Sequence, residues 1–404
     1  MVTKKAMYNT RLDGLTEYPF QRLAALIAGA ETPIGPQIVM SIGEPQHAAP
    51  ALLHQTLAQN PEGWGKYPLT AGTPDYRAAV AAWADRRYSL PAGFLDAEKN
   101  VLPVAGSREA LFMAAQLCVP PAKAGAQPTV LMPNPFYQVY FGAAVMAGAV
   151  PVFVPATKAT NFLPDYESVG ADALSRAAMA YLCTPANPQG TVASLDVLKD
   201  MILLARKHDF VLVSDECYSE IYDTAAPAGA LAACADLGDG LRNVLVFNSL
   251  SKRSNVPGLR AGFVAGDADL IAKFSKLRAH GGAVQPYPVM NAAASLWRDE
   301  AHVEENRALY RAKLDDAEKI FGGHFGFYRP AGGFFLWLDV GDGEAATRKL
   351  WTKAGVKVLP GAYLARATKT DDPLSNPGRA YIRVALVHDR ITTAAALTRM
   401  KQIL

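Results

Sequence analysis

Val244-Leu245-Val246-Phe247-Asn248-Ser249-Leu250-Ser251-Lys252-Arg253-Ser254-Asn255-Val256-Pro257-Gly258-Leu259-Arg260 sets an uninterrupted apolar run against one lysine, several small polar side chains and two arginines. Apolar runs of this kind, each followed by a helix, mark strands of a mostly parallel sheet covered on both faces. Ligands of such sheets bind outside the carboxyl ends of the strands. A lysine at that edge loses hydration, which lowers its pKa and makes its amine nucleophilic toward an aldehyde. Ser249, Ser251 and Arg260 are donors suited to a phosphate. Alone, the stretch also reads as a strand end followed by a basic surface loop, so its meaning depends on the rest of the chain.

The same rhythm runs through the middle of the sequence. Strands are predicted at Val101–Ala105, Thr129–Met132, Val150–Val154, Met179–Cys183, Phe210–Ser214, Val244–Phe247 and Gly262–Ala265. The clearest intervening helix spans Ser194 to His208. Ser194 is its N-cap, Val197, Met201, Leu204 and Ala205 form its apolar face, and Arg206, Lys207 and His208 close its last turn. Val139 to Ala156 is uncharged but holds Gly142, Gly148, Pro151 and Pro155, so it reads as a short helix, a glycine stop and a buried strand rather than a membrane span. Residues 289–320 read as one long helix with Val303, Tyr310, Leu314 and Ala317 on a stripe. Strands of a smaller α+β unit follow at 332–338, 356–359 and 381–386, with a polar loop at 365–378. The expected fold is α/β. A large domain (46–287) carries a seven-stranded, mostly parallel sheet between helices. A smaller α+β domain is formed by 1–45 and 288–404, with an N-terminal arm and a long interdomain helix.

Half of the 404 residues are hydrophobic and 19% are charged, an ordinary balance for a soluble enzyme. A net charge of +3 without basic, aromatic-interleaved runs gives no reason to expect nucleic acid as a partner. Cys118, Cys183, Cys217 and Cys234 are widely spaced, which argues against zinc and a disulfide framework and fits a reducing cytoplasm. The N-terminal residues lack the apolar core of a signal peptide, and no membrane association is expected.

The residues that follow the strands converge on one ligand. Gly106-Ser107-Arg108 opens a helix whose free N–H groups suit an anion. Pro133-Asn134-Pro135-Phe136-Tyr137 places an aromatic ring at the sheet edge, and Thr184 to Gly190 is turn chemistry around Asn187. Asp215 ends an apolar strand, where a carboxylate is costly unless paired. A protonated pyridine nitrogen is a fitting partner, since a carboxylate there keeps the ring cationic and electron-withdrawing. An aldehyde for Lys252, a phosphate and a pyridine nitrogen together describe pyridoxal 5'-phosphate.

The chain resembles the class I/II aminotransferases of PLP fold type I over nearly its full length. The resemblance is carried by Ser-Ile-Gly-Glu-Pro (41–45), Tyr67 with Ala71-Gly72-Thr73-Pro74, Gly106-Ser107, Pro135-Phe136-Tyr137, Asn187-Pro188, Asp215-Glu216-Cys217-Tyr218, Ser249 to Lys252, Gly258-Leu259-Arg260 and Arg383. It implies that Lys252 holds the cofactor's aldehyde and moves the proton at the substrate's Cα. Asp215 would pair with the pyridine nitrogen and Tyr137 stack on the ring, while Asn187 and Tyr218 would meet its phenolic oxygen. Gly106, Ser107, Arg108 by its backbone, Ser249, Ser251 and Arg260 would hold the phosphate. Tyr67 would reach the phosphate of a neighbouring subunit, which implies a homodimer with shared sites. Arg383 would fork onto the substrate α-carboxylate, and Gly43 would let the backbone approach the same carboxylate. No metal is implied. Gln189 stands where many relatives have threonine, a change expected to shape the turn rather than the reaction.

Several phrases, among them Tyr18-Pro19-Phe20, Ser214 to Tyr222 and Ser249 to Asn255, are similar to the bacterial N-succinyl-L,L-diaminopimelate aminotransferases. These exchange an amino group between the succinylated substrate and 2-oxoglutarate/glutamate in lysine and cell-wall precursor synthesis. Arg22, Lys66, Arg108 and Arg253 are the candidate cations for its distal carboxylates, and Tyr18 and Phe20 lie on an arm that suits closure over a long substrate. The cofactor residues do not separate this reading from aspartate, aromatic or other aminotransferases, or from a carbon–sulfur lyase. A transcription regulator built on the same scaffold would need a helix-turn-helix module, for which no room is expected before Ser41.

Overall fold

The computed structural model describes residues 7–33, 35–369 and 371–404. The start of the N-terminal segment, Ile34 and Thr370 of the 365–378 loop lie outside the described residues. Seven strands form the central sheet: β1 (Val101–Val104), β2 (Thr129–Asn134), β3 (Val150–Pro155), β4 (Ala177–Cys183), β5 (Val211–Asp215), β6 (Val244–Ser249) and β7 (Gly262–Gly266), in the order β1-β7-β6-β5-β4-β2-β3. Only β7 runs against its neighbours. Alternate residues of the strands enter opposite layers of core. Ala180, Leu182, Leu212, Val246 and Phe263 face one layer, and Met179, Tyr181, Val213, Phe247 and Val264 face the other. Each large apolar side chain fully buried in this way contributes about 1.5–3 kcal/mol, and burial on both faces is why the strands lack polar alternation.

The glycine stop at Gly148 (φ 83°) ends the Gln138–Ala147 helix in the left-handed region, where other residues are strained. The strand after it is less buried than predicted. β3 is the sheet's edge, paired on one side only, and Val150 is exposed. The 195–207 helix has the predicted Ser194 cap, whose side chain accepts the Val197 N–H. Its buried face is rotated, however: Leu198, Met201, Ile202 and Ala205 are inside, while Val197 and Leu204 are half-buried.

The predicted long helix is two helices, Tyr287–Arg298 and Ala301–Phe321. Asp299 is extended (φ −91°, ψ 126°) and its carboxylate accepts the His302 N–H. The guanidinium of Arg253 gathers the carbonyls of Leu296 and Asp299 and the Glu300 carboxylate, satisfying the end of the first helix. The apolar periodicity continues across the break, which hid it. Val303, Tyr310, Leu314 and Ala317 of the expected stripe are buried.

A second, antiparallel sheet joins β8 (Phe335–Asp339), β9 (Leu359–Pro360) and β10 (Tyr381–Ala385) in the order β9-β10-β8. The predicted 356–359 strand divides: Val356–Lys357 pairs in parallel with Ile38–Val39, and Leu359–Pro360 pairs with β10. The N-terminal segment packs here as expected, with Leu23 and Ile27 against Trp337, Trp351 and Leu359. The earlier turn at Thr10–Gly14 instead touches the Gln138–Ala147 helix, where Arg11 donates to the Met146 carbonyl. No described helix is long and apolar enough to cross a membrane.

Candidate active site

The carboxyl ends of β1, β2, β4, β5 and β6, the segment before β7, and the 41–43 segment enclose a cavity of about 540 Å³. Tyr18, Gly43, Ser107, Arg108, Tyr137, Asn187, Asp215, Tyr218, Ser249, Ser251, Lys252, Arg260 and Arg383 all line it. Two of the predicted residues do not. Tyr67 is fully exposed, and Gly106 stands behind the lining, where a Cβ would run into the guanidinium of Arg260.

Asp215 ends β5, in register with Cys183 and Phe247. It is 6% exposed; Oδ2 accepts the Tyr140 O–H at 2.6 Å and Oδ1 the Cys217 N–H at 3.3 Å. Burial pushes its carboxyl up, against the pull of these hydrogen bonds. Tyr140 is stacked on Tyr181 at 4.3 Å, so the donor is held in place. Two neutral donors leave a buried carboxylate that is short of a positive partner.

Lys252 lies in a single helical turn, Leu250–Arg253, capped by Ser249, whose hydroxyl accepts the Ser251 N–H. Its Nζ donates to the Gly43 carbonyl at 2.5 Å. Burial lowers its pKa to about 8. Gly43 leaves no space for a side chain, since a Cβ there would be 2.6 Å from the Phe335 ring.

The N-terminus of the Ser107–Cys118 helix, Ser107, Ser249, Ser251 and Arg260 gather donors on one side of the cavity, a set that could hold an anion. Cys217 Sγ is 3.0 Å from Ser107 Oγ and orients that hydroxyl. At the opposite end of the sequence, Arg383 on β10 donates to the Ser41 carbonyl (2.7 Å) and Asn187 Oδ1 (3.0 Å) and lies 4.4 Å from the Phe335 ring centroid. Its Nε has no partner, and burial lowers its pKa to about 10. Arg108 extends between two phenols, donating to Tyr137 Oη at 2.8 Å and Tyr18 Oη at 2.7 Å. Arg108, Arg260 and Arg383 thus line one cavity while, among the described residues, their hydrogen bonds go to carbonyl, amide and phenol oxygens and none to a carboxylate.

Among the cations weighed for a distal carboxylate, Arg253 is buried away from the cavity as a helix-end cap and Lys66 is exposed without lining it. Gln189 is buried and points to the Ala156 carbonyl, while its own carbonyl accepts from Tyr328. Sequence reasoning missed Tyr140 and Cys217. Both neighbour a residue that was identified, but only folding aims them at Asp215 and Ser107.

Residues 36–398 match the family profile described as aminotransferase class I and II. The chain is a class I/II aminotransferase. OxyQ of Streptomyces rimosus, a 4-dedimethylamino-4-oxo-anhydrotetracycline transaminase, is 33% identical over 394 residues, 95% of this chain and 98% of its own length. An LL-diaminopimelate aminotransferase of Dehalococcoides mccartyi is 30% identical over 387 residues, 93% of each chain. The crystal structure of an aminotransferase from Neisseria meningitidis Z2491 is 42% identical and superposes with a TM-score of 0.92, covering 97% of this chain and 99% of that one.

The cofactor of this aminotransferase is pyridoxal 5'-phosphate, and the donor set fits it. Among the described residues Asp215 has no cationic partner, the Lys252 amine is desolvated, and the helix N-terminus with Arg260 offers donors suited to a phosphate.

Proposed function

We propose that this aminotransferase exchanges an amino group between N-succinyl-L,L-diaminopimelate and the 2-oxoglutarate/glutamate pair, in diaminopimelate and lysine synthesis. The observation that carries the substrate class is the trio of cavity-lining arginines without carboxylates. A guanidinium that faces a cavity with no carboxylate to pair with, whether buried as in Arg383 or exposed as in Arg108 and Arg260, recruits an anion when one of the right shape arrives. Arg260 serves the cofactor phosphate and Arg383 the α-carboxylate. Arg108 remains for a carboxylate at the far end, which glutamate, 2-oxoglutarate and the succinylated substrate all carry. The relatives named as LL-diaminopimelate aminotransferases support the carbon skeleton.

When bound, the cofactor supplies an aldehyde and an electron-withdrawing ring. Lys252 would hold that aldehyde through Nζ and would carry the proton of the substrate's Cα; a pKa near 8 leaves a usable fraction of free amine. Asp215, held by Tyr140 and Cys217, would keep the ring nitrogen protonated. Asn187 and Tyr218 would meet the ring's phenolic oxygen, Tyr137 would stack on the ring, and Gly106, Ser107, the Arg108 backbone, Ser249 and Ser251 would complete the phosphate site. Trp64, Tyr67 and Leu69 expose apolar surface on one loop, which supports a homodimer in which Tyr67 enters the partner's site. Residues 46–287 act as the large domain, with 1–45 and 288–404 as the small one.

The test is a panel of amino donors offered to the cofactor-loaded protein, following the change from the aldehyde to the amine form by absorption. Fast conversion by glutamate and N-succinyl-L,L-diaminopimelate, and slow conversion by aspartate and aromatic amino acids, is expected. Preference for aspartate would transfer the reading to a second substrate, which the AspB-named structure from Helicobacter pylori favours at 35% identity and a TM-score of 0.88. Release of pyruvate and ammonia without the amine form would make it a lyase.

A further inference from the structure

Lys313 and His47 form a buried pair that the chemistry above does not use. Lys313, on the Ala301–Phe321 helix, is 1% exposed, with Nζ 2.6 Å from His47 Nε2 and 2.9 Å from the Leu386 carbonyl oxygen. His47 Nδ1 is 2.9 Å from Asn306 Oδ1. Asn306 Nδ2 donates to the carbonyl oxygens of Lys252 at 3.2 Å and Arg253 at 3.4 Å. Asn255 Nδ2 adds a second donor to Asn306 Oδ1 at 2.8 Å.

The direction of every hydrogen bond is fixed. Carbonyl oxygens only accept, so Asn306 turns its amide nitrogen to residues 252 and 253 and its oxygen to His47. His47 therefore carries its hydrogen on Nδ1 and offers a bare Nε2, which accepts from Lys313. The chain of donors runs one way, from Lys313 to the backbone of Lys252. Among the described residues no carboxylate touches it: the Tyr310 ring lies 4.8 Å from Lys313 Nζ and 4.7 Å from the imidazole, and Asp389 acts on Lys313 only through space. Burial pushes the Lys313 amine down to about 7 and the His47 imidazole below its usual value. An apolar side chain at 313 would avoid that desolvation, so what the amine adds is its hydrogen bonds.

The 41–47 segment meets Lys252 twice. Gly43 accepts from its Nζ, and His47 reaches its carbonyl through Asn306. We propose that Lys313, His47 and Asn306 are positioning residues that clamp the Lys252 turn to the 41–47 segment and so set where the amine stands. The proposal rests on Lys252 being the reactive amine.

Two readings test it. In cofactor-free protein, acetylation of Lys252 across pH, followed by peptide mass mapping, reports the reactivity of its amine. In loaded protein, the pH titration of the visible band reports the same group. His47→Leu removes both links and is expected to shift both curves by about half a pH unit or more and to lower kcat about tenfold. His47→Gln, whose amide donates to Asn306 and accepts from Lys313, is expected to restore both. Curves that coincide for wild type, His47→Leu and His47→Gln, with only the melting temperature lowered, overturn the proposal. Should His47→Leu not fold, Asn306→Ala, which cuts the last link, takes its place with the same expected shift and the same overturning result. A Lys252→Ala protein that keeps the visible band would remove the premise, and the proposal with it; this result is separate from coincident curves.

Discussion

The edge of the seven-stranded sheet and the small sheet with its 41–47 segment supply the same cavity by different routes. At the large sheet each group stands within four residues of a strand end: Ser107 after β1, Tyr137 after β2, Asn187 after β4, Asp215 at the end of β5, Lys252 after β6. Their positions follow from strand-turn geometry, and the common direction of β1, β2, β4, β5 and β6 brings them to one edge. On the small-sheet side Arg383 lies in the middle of β10, and its fork is aimed by Ser41 and Asn187, 342 and 196 residues away in sequence. The first side is assembled locally and the second only by long-range contacts. Cofactor chemistry should therefore depend on single residues of the first, and substrate binding on the alignment of the two.

The largest expected effect tests the first side. Lys252→Ala should lower turnover more than about 10³-fold while leaving the protein folded, as checked by steady-state rates beside circular dichroism; near-wild-type transamination would end the assignment. On the second side, Arg383→Ala should weaken amino and keto acids alike, lowering kcat/KM about 100-fold with the visible band intact. Lysine at 383 should recover little, because it lacks the planar fork, and unchanged affinity for both substrates would show that this side does not grip the carboxylate. Arg108→Met separates the two ends of the substrate. A drop of about tenfold in kcat/KM is expected for glutamate and the succinylated donor but not for alanine, and an equal drop for all three would place Arg108 with the cofactor. The smallest effect returns to the large sheet. Tyr140→Phe removes one donor to Asp215 and should weaken cofactor binding about fivefold, read by equilibrium titration.

The two sides also differ in how legible they were. The lining residues on the large sheet were readable because apolar runs announce the strands and the polar residue just past each run announces the edge. Asp215 and Lys252 are the clearest cases. The break at Asp299–Glu300 was hidden because Arg253, from a distant turn, satisfies the helix end. The face of the 195–207 helix was misjudged by one position because its apolar residues cover more than half a turn and packing selects among them. Tyr140 and Cys217 gave no signal of their own, since a tyrosine in an apolar helix and a cysteine after a strand also read as core.

By itself the sequence determined the alternation of strand and helix, the sheet edge at which the polar groups collect and the lysine that stands there. These depend on hydrophobic period and on residue types a few positions apart. Tertiary structure alone decided which of the candidate arginines lines the cavity, what supports Asp215, and how His47 and Lys313 are linked to Lys252. Those contacts join segments tens to hundreds of residues apart, and hydrogen-bond direction and burial have no meaning until the segments meet.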